Sequence, residues 1–585
     1  MYIRQLNVRH FRGFTDIEIK PTSHIVLMGE PGAGRSDLIN AISKVLDTDV
    51  IRVGGATELD FYQRNTAVPI EISITIGGLG PDIEQDFIDS LEVWNTQTCQ
   101  LIEESETPEG GAVGVNQEWV LRLAYRGQWL ADQERCDEMV YYPKHSDPTT
   151  LSFHRVSIAD IGKLGFTLLR YDSVRILDLG SRGTFRRIVE RAPGADFTTA
   201  LAGYVQEIAD AAAQFTASNQ VKSALGGVIT SMREVLRLPP GVDVSQLIGF
   251  SPEGGSTSGL LRSLGPTIDL GGGAGALPAW RQGSTVGTLF RLAESLALSN
   301  SSKVIVAIDD LGDGIDPASA THFGAFIRRA AGQAWITTRL SSVAEIFEPN
   351  EVIRLNRALN GTRSVHQGKT PASKSEAIAA RHWRRNLLPT LTYHSVIVVE
   401  GPHDLAALHA LAIRLCTEGG NCLPAAHSTA IISAGATGGG GYSSVLRITA
   451  AAREMGLCAI GIVDGDTDAG AKTFVASHTG DANAIVRLPD TRAIEYAIVH
   501  DVPSASIRQA LIDVSKAMNL PAIPNLGALT GNELESQAIR FIKDNTLHAA
   551  FIDALPFSDI APLAKTLLEK SMQAAREQLN GAIQL

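Results

Sequence analysis

Acidic residues follow two strongly apolar segments in the C-terminal half of the chain. They are Glu400 and Asp404 after residues 396–399, and Asp464, Asp466 and Asp468 after residues 459–463. Carboxylate oxygens are the ligands that hard divalent cations such as Mg²⁺ and Mn²⁺ prefer. A cation bound there can polarise a phosphate and activate water or a leaving oxygen, whereas the carboxylates alone would repel one another. The pattern therefore predicts a metal site that acts on phosphate esters.

A second group of residues, near the N-terminus, has the composition of a phosphate-binding loop. Its members are Gly29, Gly32, Gly34, Arg35 and Ser36, between the apolar run 25–27 and a helical pattern that begins near residue 36. In such a loop, backbone N–H groups and the helix N-terminus surround phosphates, and a serine hydroxyl can reach Mg²⁺. The loop therefore predicts a bound phosphate group with Mg²⁺, which the resemblance to ATPases described below specifies as ATP with Mg²⁺. A glycine-rich turn without a ligand is the alternative.

Around the acidic residues, the hydrophobic pattern alternates between strands and helices. Strands are predicted at 396–399, 428–433 and 458–463, with helices at 403–415 and 442–455. This alternation predicts a compact parallel sheet with helices on both faces. Carboxylates that follow neighbouring parallel strands would then share one edge of the sheet.

The remaining patterns divide the chain into domains. Alternating apolar and polar residues at 68–77 and 118–126 predict an antiparallel layer, whereas residues 195–238 have helical periodicity. The predicted domains are residues 1–385, with a partly helical module inserted within 150–265, then residues 390–505, and a helical region 506–585 that packs on the second domain.

Composition limits the kind of protein this can be. The chain has 585 residues, 44% of them hydrophobic, and a formal charge of −12. These values favour several folded domains and exclude a protein that coats nucleic acid through its overall charge, so any nucleic-acid contact must be local. The five cysteines form no C-x-x-C pair, which argues against a disulfide framework or zinc module. No apolar run reaches about 18 residues, so we expect a cytoplasmic protein without signal peptide or membrane anchor.

The N-terminal half resembles ABC ATPases of the SMC and RecF type. The similar residues around the loop are Ile3, Leu6, Val8, Phe11, Phe14, Asn40, Ala41 and Ile42. Asp309 and Asp310, after the apolar run 304–308, resemble a Walker B motif in which Asp309 holds Mg²⁺ through its water shell. Ser284, which opens a predicted helix, resembles the signature serine that contacts nucleotide on a facing subunit. The resemblance implies a homodimer.

Three residues depart from that ATPase pattern. Arg35 occupies the position of the loop lysine, Asp310 is one methylene shorter than the usual glutamate base, and Arg339 stands where a switch histidine is expected. Arginine is a planar fork and lysine a compact point charge, so the loop can hold phosphate in a position that disfavours transfer. A displaced base slows a reaction by orders of magnitude. We therefore expect nucleotide binding with slow or absent hydrolysis.

The carboxylate pattern resembles TOPRIM domains, which carry E-G-x-x-D followed by D-x-D. A chain that joins an ABC-type ATPase to a TOPRIM domain resembles the OLD family of nucleases, which includes the nuclease subunit of the Gabija phage-defence system. This resemblance implies an α/β protein with a P-loop ATPase domain, an inserted helical dimerisation module, a Rossmann-like TOPRIM domain and a helical C-terminal region. It implies metal-dependent DNA cleavage by a dimer that can pair into a tetramer, with room for a helicase-like or other defence partner.

The resemblance also assigns roles to individual residues. The metal ligands that it implies, for Mg²⁺ or Mn²⁺, are Glu400, Asp404, Asp464 and Asp466, with Asp468 beside them. Glu495 resembles a further acidic position, and a surface helix glutamate is the alternative. Lys543 resembles a basic residue that stabilises transition-state charge, and an exposed helix lysine is the alternative.

Other functions are consistent with parts of the pattern. The metal site could cut RNA such as tRNA, because substrate choice depends on surface shape and local charge. The protein could also be a non-catalytic nucleotide sensor that binds DNA, which the three substitutions favour and the complete carboxylate set disfavours. A topoisomerase needs a nucleophilic tyrosine in an added DNA-binding domain. Tyr442 and Tyr496 lie near the acidic motifs, but no segment supplies such a domain.

Overall fold

The computed structural model describes most of the chain outside the predicted inserted module. The described residues are 1–102, 113–169, 304–370, 384–435, 441–465 and 480–585, apart from 359, 421–422 and 490, with residues 373–374 and short pieces between 199 and 281. They form two compact units. The first comprises Met1–Leu164, Asp310–Gly312 and Gln333–Leu585, and the second Gly165–Asp309 and Asp313–Gly332.

The first unit begins with an antiparallel sheet. Its strands are β1 (Tyr2–Phe11), β2 (Phe14–Ile19), β4 (Ile70–Gly77), β5 (Leu91–Asn95), β6 (Gln100–Leu101), β7 (Gln117–Leu130) and β8 (Arg135–Tyr141). Their order is β2-β1-β4-β7-β5-β6, and β8 also pairs with β7. The alternating residues Ile70, Ile72 and Ile74 are fully buried, which places one face of β4 on the core. This sheet matches the antiparallel layer that the alternation predicts.

A second sheet positions the glycine-rich loop. Its strands in the first unit are β3 (Ile25–Gly29), β13 (Gln333–Thr337), β14 (Val352–Arg357) and β15 (Arg363–Gln367). β3 pairs in parallel with β13 and with β14, and β15 pairs antiparallel with β14. All of β3 is buried, as is typical of a strand covered on both faces. The loop follows β3 and leads into the long helix α1 (Arg35–Leu46).

Four shorter helices with fully described bounds also lie in this N-terminal part of the first unit. They are α2 (Thr48–Val53), α3 (Pro81–Asp86), α4 (Ile158–Lys163) and α6 (Ser341–Ala344). α2 begins where the carboxylate of Asp47 accepts hydrogen bonds from the backbone N–H groups of Asp49 and Val50. Such side-chain caps satisfy helix N–H groups that have no partner within the helix.

The second unit contains the strand that precedes Asp309. β12 (Ile305–Ile308) is buried and pairs in parallel with β9 (Phe166–Leu169), and β10 (Thr267–Ile268) pairs with β11 (Leu277–Pro278). Helix α5 (Pro317–Ala330) begins after Asp316, whose carboxylate accepts a hydrogen bond of 2.9 Å from Ser319 N. Most of the predicted inserted module, and the helix predicted at Ser284, lie outside the described residues.

The C-terminal part of the first unit is a parallel sheet. Its strands are β16 (Ser395–Val399), β17 (Thr429–Ser433), β18 (Cys458–Val463), β19 (Ala484–Arg487) and β20 (Gly581–Gln584), in the order β17-β16-β18-β19-β20. β16 and β18 are wholly buried. Helix α8 (Tyr442–Glu454) packs closely on β18, because a Cβ on Gly461 would lie 3.0 Å from Cγ1 of Val445.

Within the described residues, six more helices belong to this C-terminal part. They are α7 (Pro402–Thr417), α9 (Ile494–Val499), α10 (Ser504–Ala517), α11 (Gly531–Asn545), α12 (His548–Ala554) and α13 (Pro562–Glu577). They supply much of a continuous apolar core with the strands, and α12 contacts both α7 and α10. The mixed α/β character of the prediction is confirmed. Among the described helices, none is long and apolar enough to cross a membrane.

The C-terminal sheet has two strands that the sequence pattern did not predict. β19 has only four residues, and the tail predicted as mostly helical ends in β20, which pairs in parallel with β19. Strands this short contain too few positions for a period-two pattern to be recognised. The pairing of β20 is decided by the open edge of β19, which is a tertiary feature.

Candidate functional site

Two of the predicted acidic residues meet at the carboxyl edge of the C-terminal sheet. Glu400 follows β16 and Asp464 follows β18, and these parallel strands are hydrogen-bonded neighbours. The backbone N–H of Asp464 donates to Oε1 of Glu400 over 3.0 Å. The ends of the two motifs are therefore in direct contact, as expected for residues that follow neighbouring parallel strands.

Asp404 lies on the first turn of α7, close to the same edge. Its Oδ2 accepts a hydrogen bond of 2.9 Å from Gly401 N, which caps the helix. Burial raises the pKa of Asp404, and the negative charge of Glu495 adds to the rise, although the Gly401 hydrogen bond opposes it. Carboxylate oxygens are the donors that Mg²⁺ and Mn²⁺ prefer, and a nearby divalent cation would oppose this rise in pKa.

Glu495 is buried, so the alternative of a surface helix glutamate is wrong. The residue is 6% exposed, and its Oε1 lies 3.1 Å from Nε2 of His548. Burial would raise the pKa of Glu495, but the His548 hydrogen bond and the positive charge of Lys543 hold it below the ordinary value. An ionised carboxylate is thereby kept close enough to Asp404 to affect its titration.

Two histidines at this site were not among the predicted residues. His548 is 2% exposed and stacks on His403, with ring centroids 5.3 Å apart and an interplanar angle of 10°. His403 lies inside the E-G-x-x-D motif, next to Asp404, and this position was the available sequence signal. His548 is 53 residues from Glu495 along the chain, so no local spacing connects those two residues.

Lys543 has an exposed side chain in the last turn of α11, as the alternative interpretation expects. Its charge nevertheless acts on Glu495 and helps to lower the pKa of that carboxyl group. Lys543 is therefore exposed to solvent and is also close enough to Glu495 to affect its pKa.

The turn of the D-x-D motif is tied to the segment that precedes α9. Gly465 N donates to Arg492 O and Thr491 N donates to Gly465 O, both over 2.7 Å. Arg487 Nη2 donates to the same Gly465 carbonyl over 3.1 Å. A Cβ on Gly465 would collide with the carbonyl group of Pro489, so only glycine allows this close approach.

The predicted ligands Asp466 and Asp468 lie outside the described residues. Among the residues that are described, no group of three His, Cys, Asp or Glu side chains has a geometry that could hold a metal ion. The metal site of the acidic motifs therefore stays a prediction. Its described part consists of Glu400, Asp404, Asp464 and Glu495.

The glycine-rich loop has the backbone conformation that its glycines allow. φ is positive at Gly29, Gly32 and Gly34, with values of 146°, 78° and 97°. A Cβ on Gly29 would collide with Leu355 O, and one on Gly34 would lie 2.8 Å from Cζ of Phe14. The loop is thus pressed against β14 and β2 before it turns into the N-terminus of α1.

The three departures from the ATPase pattern lie close together in the first unit. Arg35 Nη1 donates to Thr338 O over 3.0 Å, and the next residue, Arg339, pairs with Asp310 through Nη2 and Oδ2 at 3.2 Å. Asp310 has a φ of 54°, and its N–H donates to Thr337 Oγ1 over 2.6 Å. The carboxylate in the position of the base is therefore held by an arginine.

Of the other residues predicted to contact nucleotide, Ser36 and Asp309 are among the described residues and Ser284 is not. Ser36 is in the first turn of α1, and Asp309 follows β12 in the second unit, where its N–H donates to Leu169 O over 3.3 Å. Ser284 lies outside the described residues. The roles of these residues toward Mg²⁺ and ATP remain predictions.

A glutamate of the loop connects it to the C-terminal sheet. Glu30 Oε1 accepts a hydrogen bond of 2.7 Å from Arg357 N, and Glu30 Oε2 lies 3.3 Å from Nδ1 of His394, the residue before β16. The opposite nitrogen of the ring, His394 Nε2, lies 2.9 Å from Nε2 of Gln578. One histidine thus contacts the glycine-rich loop and the C-terminal tail.

Arg354 on β14 makes a second connection between these two parts. The residue is fully buried and donates to three backbone carbonyls, Leu391 O, Tyr393 O and Met455 O, over 2.9 to 3.1 Å. An arginine fork matches several acceptors at once, and each buried carbonyl needs a donor. The two sheets are therefore joined by a polar contact within the core.

Two solved structures that the chain matches are heads of SMC proteins. One is an SMC head bound to the C-terminal winged-helix domain of ScpA, with 12% identity and a TM-score of 0.32, covering 65% of this chain and 99% of that chain. The other is the SMC head domain from Thermotoga maritima, with 12% identity and a TM-score of 0.28, covering 63% of this chain and 100% of that chain. No protein-family model matches the sequence, and no curated protein matches it. Structural likeness at this level carries no argument about activity.

Proposed function

We propose that this chain is a metal-dependent nuclease of the OLD type, in which a nucleotide-binding domain regulates a TOPRIM cleavage site. The observation that carries the proposal is the 3.0 Å hydrogen bond from Asp464 N to Glu400 Oε1, which joins the two acidic motifs at one sheet edge. Asp404 and Glu495 support it, because Asp404 is buried and, beyond the effect of this burial, the charge of Glu495 further raises the pKa of Asp404. Carboxylates crowded in this way are suited to divalent cations.

Each residue of the proposed cleavage site has a distinct task. The proposed ligands of Mg²⁺ or Mn²⁺ are Glu400, Asp404, Asp464 and Asp466, with Asp468 and Glu495 as further ligands. When bound, the metal supplies Lewis-acid polarisation of a phosphate and activation of water. Lys543 stabilises negative charge that develops on the phosphate oxygens. His548 holds the Glu495 carboxylate in a single orientation.

The glycine-rich loop is proposed to bind ATP with Mg²⁺. Its backbone N–H groups surround the phosphates, Ser36 and Asp309 hold the Mg²⁺, and Ser284 contacts nucleotide on a second copy of the chain in a homodimer. The contact of Arg35 with Thr338 O and the pairing of Asp310 with Arg339 favour binding over hydrolysis. Bound nucleotide then acts as a switch and is consumed slowly.

The proposed substrate is DNA, and the proposed role is defence against phage; both follow from the resemblance to the OLD family. The site chemistry is the same for any phosphodiester, so an RNA such as tRNA is an outcome of the test below. Dimers that pair into tetramers, and a helicase-like partner, belong to the same proposal.

The test is a cleavage assay with purified protein and three substrates: plasmid, linear duplex DNA and total RNA. Each is incubated with Mg²⁺ or Mn²⁺, with and without ATP, beside the variant Asp464→Asn. Cleavage that requires the metal and disappears in the variant is the expected result. Absence of cleavage from every substrate, or cleavage that survives the substitution, would overturn the proposal.

A second candidate is a non-catalytic nucleotide sensor that binds DNA. The specific observation in its favour is the ion pair between Arg339 and Asp310. In the ATPase pattern, Asp310 stands at the position of the hydrolytic base, and a base paired with an arginine is less able to accept a proton. This candidate predicts nucleotide-dependent DNA binding without cleavage under any metal condition. Equilibrium binding of labelled ATP and labelled DNA to the same preparation distinguishes it from the nuclease.

A further inference from the structure

Three side chains form a ladder along α9, the short helix that carries Glu495. The guanidinium carbon of Arg492 lies 4.1 Å from the ring centroid of Tyr496, and the Tyr496 ring stacks on His500 at 4.4 Å with an interplanar angle of 21°. Two groups this close to one ring centroid must cover opposite faces. The ladder therefore runs in the order Arg492, Tyr496, His500.

The far end of the ladder is fixed by carboxylates. His500 Nδ1 lies 3.2 Å from Oε2 of Glu535, and His500 Nε2 lies 3.6 Å from Oδ2 of Asp501. The Tyr496 ring is therefore held against an anchored imidazole. The opposite face of the Tyr496 ring contacts the guanidinium of Arg492.

The near end of the ladder is attached to the D-x-D motif. Arg492 O accepts the 2.7 Å hydrogen bond from Gly465 N, and Thr491, the preceding residue, donates to Gly465 O. Gly465 is the residue between Asp464 and the next acidic residue of the motif. The backbone of Arg492 thus lies directly beside the proposed metal site.

The Arg492 side chain is exposed, and within the described part of the chain its guanidinium makes no ion pair or side-chain hydrogen bond. A guanidinium that lies over the face of an aromatic ring still carries N–H groups that can form a fork with a phosphate. The chain as a whole has a charge of −12. A polyanion that approaches the acidic edge therefore needs a local cation such as this one.

From this arrangement we propose that Arg492, oriented by Tyr496, binds a backbone phosphate of the nucleic-acid strand next to the phosphodiester that is cut. This inference rests on the proposed nuclease function and adds a substrate contact to it. Direct contact is assigned to Arg492, while Tyr496 is a positioning residue. Phosphate recognition of this kind places the strand without reading its sequence.

The test measures binding separately from cleavage. Fluorescence anisotropy is recorded for a labelled duplex and for its single strand, in an Asp464→Asn background, over a range of salt concentrations. Loss of one phosphate contact reduces the slope of log K against log salt by about 0.9 for duplex or about 0.7 for single strand. Arg492→Ala is expected to show this reduction, Arg492→Lys to retain most of the slope, and Tyr496→Leu to weaken binding although the charge remains.

Arg52→Ala, which removes another exposed arginine from α2, is the matched control and should leave the slope unchanged. Circular dichroism establishes that each variant is folded. An unchanged salt slope in Arg492→Ala, while the parent still binds, would overturn the inference. The proposed function fails differently, through absence of cleavage by the wild-type protein, so the two failures can be told apart.

Discussion

The carboxylate of Glu30 in the glycine-rich loop lies 3.3 Å from Nδ1 of His394, and His394 immediately precedes β16, the strand that Glu400 follows. The proposed nucleotide site and the proposed metal site are therefore joined by one side-chain contact and one buried strand. We therefore expect nucleotide binding at the loop to act on Glu400 through His394 and β16. Packed elements transmit displacements because interiors are close-packed.

His394→Gln is expected to reduce the response of cleavage to ATP while nucleotide affinity is retained. The substitution removes the imidazole that faces Glu30 Oε2, while Arg357 N still donates to Glu30 Oε1. The measurement is the ratio of cleavage rates with and without ATP, together with the dissociation constant for ATP. His154→Gln, an exposed histidine, is the control. An unchanged ratio would show that the contact carries no coupling.

Glu30 also predicts a pH dependence of stability. Burial raises the pKa of Glu30, but hydrogen bonds from His394 and Arg357 N outweigh it and hold the pKa below its ordinary value. The ionised carboxylate therefore stabilises the fold above the ordinary carboxyl range, and this contribution is lost as pH falls through the lowered pKa. The difference in unfolding free energy between wild type and Glu30→Gln should shrink on acidification. Urea titrations from neutral to acidic pH measure it, and a difference that grows in acid contradicts the prediction.

Arg354→Lys should destabilise the protein strongly. A lysine ammonium cannot reach Leu391 O, Tyr393 O and Met455 O together, so at least one buried carbonyl loses its donor. An unsatisfied buried acceptor costs about 1–3 kcal/mol. Chemical denaturation of the variant gives the loss, with Arg52→Lys on the surface as control. A loss below about 0.5 kcal/mol, the usual range of surface substitutions, would contradict the prediction.

Gly465→Ala should displace the D-x-D turn and abolish cleavage. The new Cβ would collide with the carbonyl group of Pro489 and lie 2.8 Å from Leu488 O. Both are backbone atoms, so the chain itself must move and Asp464 must move with it. Gly480→Ala is the matched control, because a Cβ there meets nothing within 4 Å. Isothermal titration of Mn²⁺ into both variants shows whether metal binding is lost only in the first.

His548→Ala should weaken metal binding and slow cleavage, because Glu495 loses the partner at 3.1 Å that fixes its orientation. Removal of a hydrogen-bonded partner of a metal ligand typically costs about 10- to 100-fold in affinity or activity. His548→Gln keeps a donor and should recover part of the loss, whereas His548→Leu, which fills the space without a donor, should not. Calorimetric Mn²⁺ affinity and cleavage rate are the readouts. Equal behaviour of the Ala and Gln variants would argue against a positioning role.

The local pattern of the sequence determined the positions of the proposed chemistry. Glu400, Asp464 and the glycines of the loop each follow an apolar strand, and a residue that ends a strand of a parallel sheet is placed by that strand alone. The apolar runs are long enough to recognise because buried strands have apolar residues on both faces. The carboxyl edge shared by Glu400 and Asp464 could therefore be predicted without any long-range information.

Only the tertiary structure decided which residues support those positions. The pairing of His548 with Glu495, the contact of His394 with Glu30, and the three carbonyls held by Arg354 connect residues 37 to 364 positions apart. Such contacts depend on how helices and sheets pack, and packing leaves no periodic signature in the sequence. Strand β20 likewise depends on the tertiary structure, since it forms by pairing with the edge of β19. Position along an element is a local property, whereas a partner across the core is a property of the whole fold.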